Sequence, residues 1–164
     1  MIWIKHTLLL IFLLLISACG YHLRGSIDLP QGLKAIHLQN SSSQLRKSFK
    51  QTLKSIDGKL VETQKEAGIT IQVVKEHMEN RVLSLSNTGR INEVELVYSL
   101  HFMMLDKKGK SLKERQEIVI RRDYFNDQGD VLAKNNEDQT IRSEMYDQAV
   151  QSIIQRARVA LKSK

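Results

Sequence analysis

The feature that constrains the fold most is a run of apolar residues at every second position in the middle of the chain. Residues of mixed polarity separate its members, which are Val94, Leu96, Tyr98, Leu100, Phe102 and Met104. Successive side chains of a strand point to opposite faces, so this spacing predicts one long strand with a fully apolar face. Charged residues and a glycine at 106–110 predict a hairpin turn, and alternation from Ile118 to Tyr124 predicts the return strand.

Shorter segments complete the predicted elements. Apolar residues at 33–38 predict a first strand, and alternation at 69–73 and at 82–86 predicts two more, the second ending in a turn around Gly89. A first helix is predicted from the spacing of Leu45, Phe49, Leu53 and Ile56, with an end at Asp57 and Gly58. A second helix is predicted, after candidate caps at Asn135 and Asn136, from Ile141, Met145, Ala149, Ile153, Ala157 and Leu161.

These elements predict an α/β fold of the α+β sandwich type, in the order β-α-β-β-β-β-α. A mostly antiparallel sheet of four to five strands with two helices packed on one face would bury every apolar stripe. The other face of the sheet has mixed polarity, so it would be available to a partner or a ligand.

The N-terminal segment reads as an export signal. Lys5 precedes nine consecutive apolar residues at 8–16. A helix of that length spans about 14 Å, less than half of a bilayer core of about 30 Å, so it cannot serve as a transmembrane anchor. Its length and flanking residues are those of a signal peptide.

Cys19 follows the small residues Ser17 and Ala18 and is the only cysteine of the chain. This arrangement resembles the lipobox of bacterial lipoproteins, in which the cysteine thiol receives a diacylglyceryl group and the new N-terminus is acylated. Several acyl chains give the stable anchoring that one chain does not. An ordinary signal peptide followed by a chance cysteine is the alternative. Gly20, in place of an aspartate, favours delivery to the outer membrane.

The predicted organisation is a lipoprotein signal peptide at 1–18, a lipid-anchored tether at 19–32 and a single domain at 33–164. Removing residues 1–18 removes Lys5 and lowers the formal net charge from +7 to +6. A basic surface suits nucleic acid, anionic lipid or another anionic ligand, and export argues against nucleic acid as the partner. A merely soluble basic surface is the alternative.

Catalytic and metal-binding motifs are absent from the sequence. It contains no phosphate-binding glycine loop, nucleophile elbow or zinc-protease motif, and His22, His37, His77 and His101 are not spaced as metal ligands. We therefore expect no enzyme activity, no metal and no cofactor, apart from covalent N-acyl and S-diacylglycerol lipid at Cys19. The run from Arg121 to Tyr124 is interpreted as part of a cross-strand ion pair at a sheet edge.

Basic residues at predicted strand ends, turns and the last strand-to-helix link form a candidate anion site. They are Arg81, Arg90, Arg121, Arg122 and Lys134. Arginine binds phosphate through two parallel hydrogen bonds and lysine acts as a point charge. Clustered at one end of the sheet, these residues would hold a phosphorylated glycolipid, whereas a solvated rim is the alternative interpretation.

Several segments, in order along the chain, resemble the LptE family, also called RlpB. Residues 19–25 (CGYHLRG) resemble the start of the mature family members, and residues 122–127 (RDYFND) with 131–134 (VLAK) resemble their last strand and following link. Asn136 with Glu137 and residues 144–149 (EMYDQA) resemble the last helix. The turn containing Asn87 and Gly89, followed by Glu93, matches the turn before the long strand.

The resemblance implies an outer-membrane lipoprotein that plugs the LptD β-barrel, assists its assembly and binds lipopolysaccharide (LPS). On this basis we expect Arg90 and Lys134 to contribute to LPS binding, with Arg81, Arg121 and Arg122 as further contacts. The expected partners are LptD, LPS and outer-membrane lipid through Cys19. Alternatives are an accessory lipoprotein of another envelope machine, such as outer-membrane protein assembly, or a lipid-anchored hydrolase.

Overall fold

Seven regular elements follow one another in the computed structural model, which describes residues 29–126 and 131–162. After a short 3₁₀ turn at Gln31–Leu33, they are β1 (Ala35–Gln39), α1 (Ser43–Lys54), β2 (Lys59–Val61), β3 (Ile69–Leu85), β4 (Ile91–Leu105), β5 (Gln116–Phe125) and α2 (Val131–Lys162). The five strands form one sheet in the order β2-β1-β3-β4-β5. β1 is parallel to β2 and β3, whereas β3, β4 and β5 are antiparallel.

The predicted α+β fold, with a mostly antiparallel sheet and two helices, is confirmed. The alternating residues of β4 are all buried, and β5 places Ile118 and Ile120 beside Leu100 and Tyr98 on the same face. Both helices contribute buried residues to the same cluster, including Phe49 from α1. The predicted turn at 106–110 is also confirmed, because the Asp106 backbone N–H donates to the Lys110 carbonyl oxygen at 2.9 Å.

The order of strands and helices along the chain is as predicted, but the second and third strands consist of other residues than predicted. The separate strands predicted at 69–73 and 82–86 are the two ends of β3, and β2 was not predicted. The polar residues between the two ends interrupt the apolar alternation, yet the backbone ladder with β4 continues through them. β2 has three residues, too few for a periodic signal, and it forms by pairing with β1.

The helix ends provide one confirmation and one correction. The expected end near Asp57 and Gly58 is confirmed, because α1 ends at Lys54, Asp57 adopts a positive φ of 55° and the Gly58 N–H donates to the Leu53 carbonyl at 2.8 Å. The prediction of caps at Asn135 and Asn136 is wrong, because α2 already begins at Val131. The helical period of its buried face starts only at Ile141, so the sequence pattern gave no sign of the earlier turns.

The sheet gives the described part of the molecule two distinct ends. At the proximal end, defined by residues 29–34, Leu29 and Leu33 are buried, although they lie in or beside the segment predicted as a tether. At the hairpin end, defined by the turn at 86–90 between β3 and β4, the chain extends beyond the core. β3 has 17 residues, so these ends lie about 55 Å apart along the strand.

Candidate functional site

A groove at the hairpin end brings a cation, apolar surface and hydrogen-bonding groups together. It has a cavity volume of about 440 Å³ and is lined by Ser86, Thr88, Arg90, Ile91, Asn92, Phe125 and Asn126. The lining residues that the structure describes contain hydroxyl and amide groups but no histidine or carboxylate. This combination suits an amphipathic anion. The guanidinium group of Arg90 can contact its phosphate, while the ring of Phe125 contacts its apolar part.

The turn between β3 and β4 positions Arg90 at the edge of this groove. Gly89 adopts a positive φ of 76°, which a residue without Cβ accepts without strain. The Ser86 backbone N–H donates to the Arg90 carbonyl oxygen at 2.7 Å, and the Arg90 N–H donates to the Ser86 hydroxyl oxygen at 3.2 Å. These bonds hold the backbone of Arg90 at the start of β4.

The end of β5 forms the opposite wall. The Asn126 N–H donates to the Asn92 carbonyl at 2.8 Å, and its side-chain amide donates to the Ile91 carbonyl, also at 2.8 Å. Phe125 is 67% exposed beside these bonds. Sequence reasoning missed Phe125 and Asn126 as site residues. The available signal was the strand alternation: Ile118, Ile120 and Tyr124 share the buried face, so Phe125 must point to the opposite face.

The N-terminal part of α2 is tied to the same end of the sheet. The Tyr124 hydroxyl donates to Asp138 Oδ1 at 3.1 Å, and Arg142 contacts Asp138 at 2.6 Å and Asn80 Oδ1 at 2.8 Å. Burial, with the neighbouring Asp138 carboxylate, raises the pKa of Tyr124. The backbone of Lys134 lies at the start of α2, but its side chain is outside the described residues. Arg90 and the backbone of Lys134 therefore belong to one end of the fold.

Arg81 and Arg121 meet on the open face of the sheet instead. They lie on either side of Glu95, each 3.9 Å from one of its carboxylate oxygens. Arg81 also contacts Glu79, and its hydrogen bond to that carboxylate lowers the pKa of Glu79. The interpretation of the run from Arg121 to Tyr124 as part of a cross-strand ion pair at a sheet edge is confirmed for Arg121, which contacts Glu95 of β4 from the edge strand β5.

Arg122 lies on the opposite, helix-covered face. It donates to Gln148 Oε1 of α2 at 2.7 Å and to the Arg121 carbonyl at 3.1 Å. The four candidate residues whose side chains are described therefore do not form one cluster: Arg90 lies in the hairpin turn, Arg81 and Arg121 share Glu95, and Arg122 contacts α2. Neighbours in a strand point to opposite faces, which separates Arg121 from Arg122.

Two features are absent from residues 29–126 and 131–162. No helix in these ranges is long and apolar enough to span a membrane. No group of three or more histidine, cysteine, aspartate or glutamate side chains is arranged there to hold a metal ion. The predicted lipidation site, Cys19, lies outside the described residues.

Comparisons with known proteins agree with one another. The model of the LptE family, described as lipopolysaccharide-assembly, matches residues 33–157. The LPS-assembly lipoprotein LptE of Pectobacterium atrosepticum is 27% identical over 154 residues, which cover 92% of this chain and 83% of that protein. The LPS-assembly lipoprotein LptE of Yersinia pestis is 28% identical over 152 residues, covering 90% and 72% of the two chains.

Solved structures share the fold. The solution structure of a lipoprotein B from Nitrosomonas europaea has a TM-score of 0.70 and 28% identity, covering 88% of this chain and 93% of that one. The crystal structure of the rare lipoprotein B from Shewanella oneidensis has a TM-score of 0.62 and covers 79% and 96%. Its identity is 24%, so this second likeness concerns the fold alone.

Proposed function

The chain belongs to the LptE lipopolysaccharide-assembly family, and from this premise we propose that it binds LPS at the hairpin end as a non-enzymatic subunit of the LPS translocon. In this proposal Cys19 carries the lipid that anchors the protein to the outer membrane. The domain plugs the LptD β-barrel, assists its assembly and contacts LPS during insertion into the outer leaflet.

The observation that carries the proposal is the groove in which Arg90 and the exposed ring of Phe125 line the same cavity. LPS presents phosphate groups on sugars that also carry acyl chains, so it offers partners to both groups. Lys134 would add a second cation from the start of α2. Arg81 and Arg121 are secondary contacts, because Glu95 already lies between their guanidinium groups.

A charge-reversal pair tests the proposed LPS site. We expect Arg90→Glu/Lys134→Glu to weaken LPS binding by roughly tenfold or more, since each change replaces an attraction to phosphate by a repulsion. Binding is measured with purified LPS at physiological salt. The matched control is Lys107→Glu/Lys108→Glu in the other hairpin turn, which changes the net charge equally. Unchanged LPS binding by the Arg90/Lys134 variant would contradict the site assignment.

Co-purification tests the proposed partner. A C-terminally tagged chain from detergent-solubilised outer membranes should recover a large β-barrel in near-stoichiometric amount, identified by mass spectrometry as LptD. Recovery with a different barrel machine would favour the alternative of an accessory lipoprotein for outer-membrane protein assembly. Recovery of the chain alone would also count against the translocon assignment.

A further inference from the structure

A second cationic groove runs along α1, away from the hairpin end. Arg46, Lys50 and Lys54 recur at intervals of four along the helix and therefore share one face, and Lys59 of β2 lines the same groove. The cavity volume is about 400 Å³, and among the residues that the structure describes its lining contains one acidic residue, Glu62. Within the described lining, four cations thus face a single carboxylate.

The described residues around the groove leave most of this charge unpaired. α1 contains no acidic residue, and none of the ion pairs found within the described ranges involves Lys50, Lys54 or Lys59. Like charges at intervals of four destabilise a helix, and a cation near the helix N-terminus, as Arg46 is, opposes the helix dipole. Arg46 is held in place, because its guanidinium donates to the Leu38 carbonyl at 2.8 Å. An external anion would offset this repulsion.

The groove lies where the anchored N-terminal segment joins the domain. Gly58 lines the groove, and a Cβ added there would lie 3.2 Å from Cδ1 of the buried Leu29. On the other side, the Lys59 N–H donates to the Lys34 carbonyl at 2.8 Å. Ten residues lead from Cys19 to Leu29, and ten residues reach at most about 35 Å. A lipid on Cys19 therefore keeps this groove near the membrane surface.

We propose that the groove formed by Arg46, Lys50, Lys54 and Lys59 docks on the headgroups of anionic glycerophospholipids in the leaflet that holds the anchor. The proposal rests on the proposed function only for the lipid at Cys19. Lysine ammonium groups beside a membrane anchor are attracted to the phosphodiesters of an anionic leaflet. The site is separate from the LPS groove, which lies at the far end of the 17-residue strand β3.

Lysine labelling of the mature, lipidated chain in vesicles tests this docking. The amine-reactive labelling rates of Lys50, Lys54 and Lys59 are measured by mass spectrometry in phosphatidylcholine vesicles with and without phosphatidylglycerol. We expect phosphatidylglycerol to slow their labelling by about fivefold. At 0.5 M salt the screening length falls to about 4 Å and the protection should largely disappear.

Lys107, Lys108 and Lys110 are the internal control. Their turn follows Leu105, which pairs with Thr70 near the start of β3, so they lie at the same end of the sheet as the groove. Protection of the groove lysines alone supports docking. Equal protection of both sets would indicate general attraction of this end to the membrane, and no protection of either would indicate no docking. Either result would overturn the proposal.

A variant separates this site from the proposed LPS site. Lys50→Glu/Lys54→Glu/Lys59→Glu should abolish the phosphatidylglycerol-dependent protection, read out at Arg46 by a guanidinium-specific reagent, and leave LPS binding unchanged. Lys107→Glu/Lys108→Glu/Lys110→Glu should keep the protection. Loss of LPS binding in the groove variant, or protection of the groove by soluble LPS equal to that by phosphatidylglycerol, would contradict the assignment to glycerophospholipid.

Discussion

The two ends of β3 have similar apolar sequences and opposite environments. Ile69, Ile71 and Val73 are buried beneath the helices, whereas Val82 and Leu85 near the hairpin turn are 54% and 60% exposed. The ladder with β4 extends over both ends. Hydrogen bonding therefore continues the strands beyond the region that packing stabilises. The proximal half supplies the hydrophobic stability, and the hairpin half presents apolar surface and the candidate LPS groove.

A polar cluster lies on β3 and β4 between these two halves. The Glu76 carboxylate accepts hydrogen bonds from the Ser42 N–H at 3.0 Å, the Ser42 hydroxyl at 2.6 Å and the Tyr98 hydroxyl at 3.1 Å. The Ser42 hydroxyl also accepts from the Leu45 N–H and so caps α1. A carboxylate at a helix N-terminus complements the helix dipole. This cluster joins the start of α1 to the sheet.

The largest expected difference between the halves concerns two phenylalanines. Phe49 is fully buried and Phe125 is 67% exposed. We expect Phe49→Ala to lower the free energy of unfolding by about 3–5 kcal/mol, because it removes contacts and leaves a cavity. Phe125→Ala should change it by less than about 0.5 kcal/mol and weaken LPS binding instead. Urea unfolding measures the first effect, and equal destabilisation by the two variants would contradict the division into halves.

Two glycines provide a comparison of intermediate size. A Cβ on Gly68 would lie 2.2 Å from the Gly32 carbonyl oxygen, whereas a Cβ on Gly89 meets no atom within 4 Å. We expect Gly68→Ala to cost about 3 kcal/mol, at the upper end for overpacking, because the obstructing atom is backbone. Gly89→Ala should cost about 1 kcal/mol, through its positive φ alone. Thermal unfolding of both variants measures the difference, and a larger loss for Gly89→Ala would reverse the comparison.

The smallest expected effect concerns pH and Tyr98. Burial, reinforced by the Glu76 carboxylate, strongly raises the pKa of Tyr98. The folded state therefore keeps a phenol proton that the unfolded chain releases near pH 10, so this stabilisation is present below about pH 10 and is lost as the pH rises. Between pH 8 and pH 11 the wild type should lose about 1.4 kcal/mol more than Tyr98→Phe.

Tyr124 at the hairpin end is the matched control for this pH effect. Burial also raises its pKa, with a contribution from Asp138. Tyr98 is fully buried and Tyr124 is 8% exposed. Tyr124→Phe should therefore remove a smaller part of the loss in unfolding free energy at pH 11 than Tyr98→Phe does. The free energy of unfolding of the three proteins is compared at both pH values. A wild-type pH dependence identical to that of Tyr98→Phe would contradict the assignment.

The candidate site was less predictable than the fold. Arg90 and Lys134 could be proposed from charge, from their places beside predicted turns and links, and from the family resemblance. Phe125 was not predicted, because two adjacent aromatic residues, Tyr124 and Phe125, indicate in sequence only a continuing strand and not which of the two is exposed. The meeting of Arg81 and Arg121 at Glu95 depends on cross-strand register, which sequence spacing within one strand does not contain.

The sequence by itself determined the periodic elements: the long strand, its return strand, both helices, the tight turns and the family. The elements depend on local chemistry, since alternation, helical spacing and glycine turns act over a few residues, whereas the family resemblance depends on several segments in order along the chain. Only the tertiary structure decided that the segments around Ile71 and Leu83 form one strand and that three residues at β2 pair with β1. It also decided that Leu29 packs beside the α1 groove. These features depend on contacts between segments that are distant in the chain. Short sequence patterns do not indicate the free energy of such contacts.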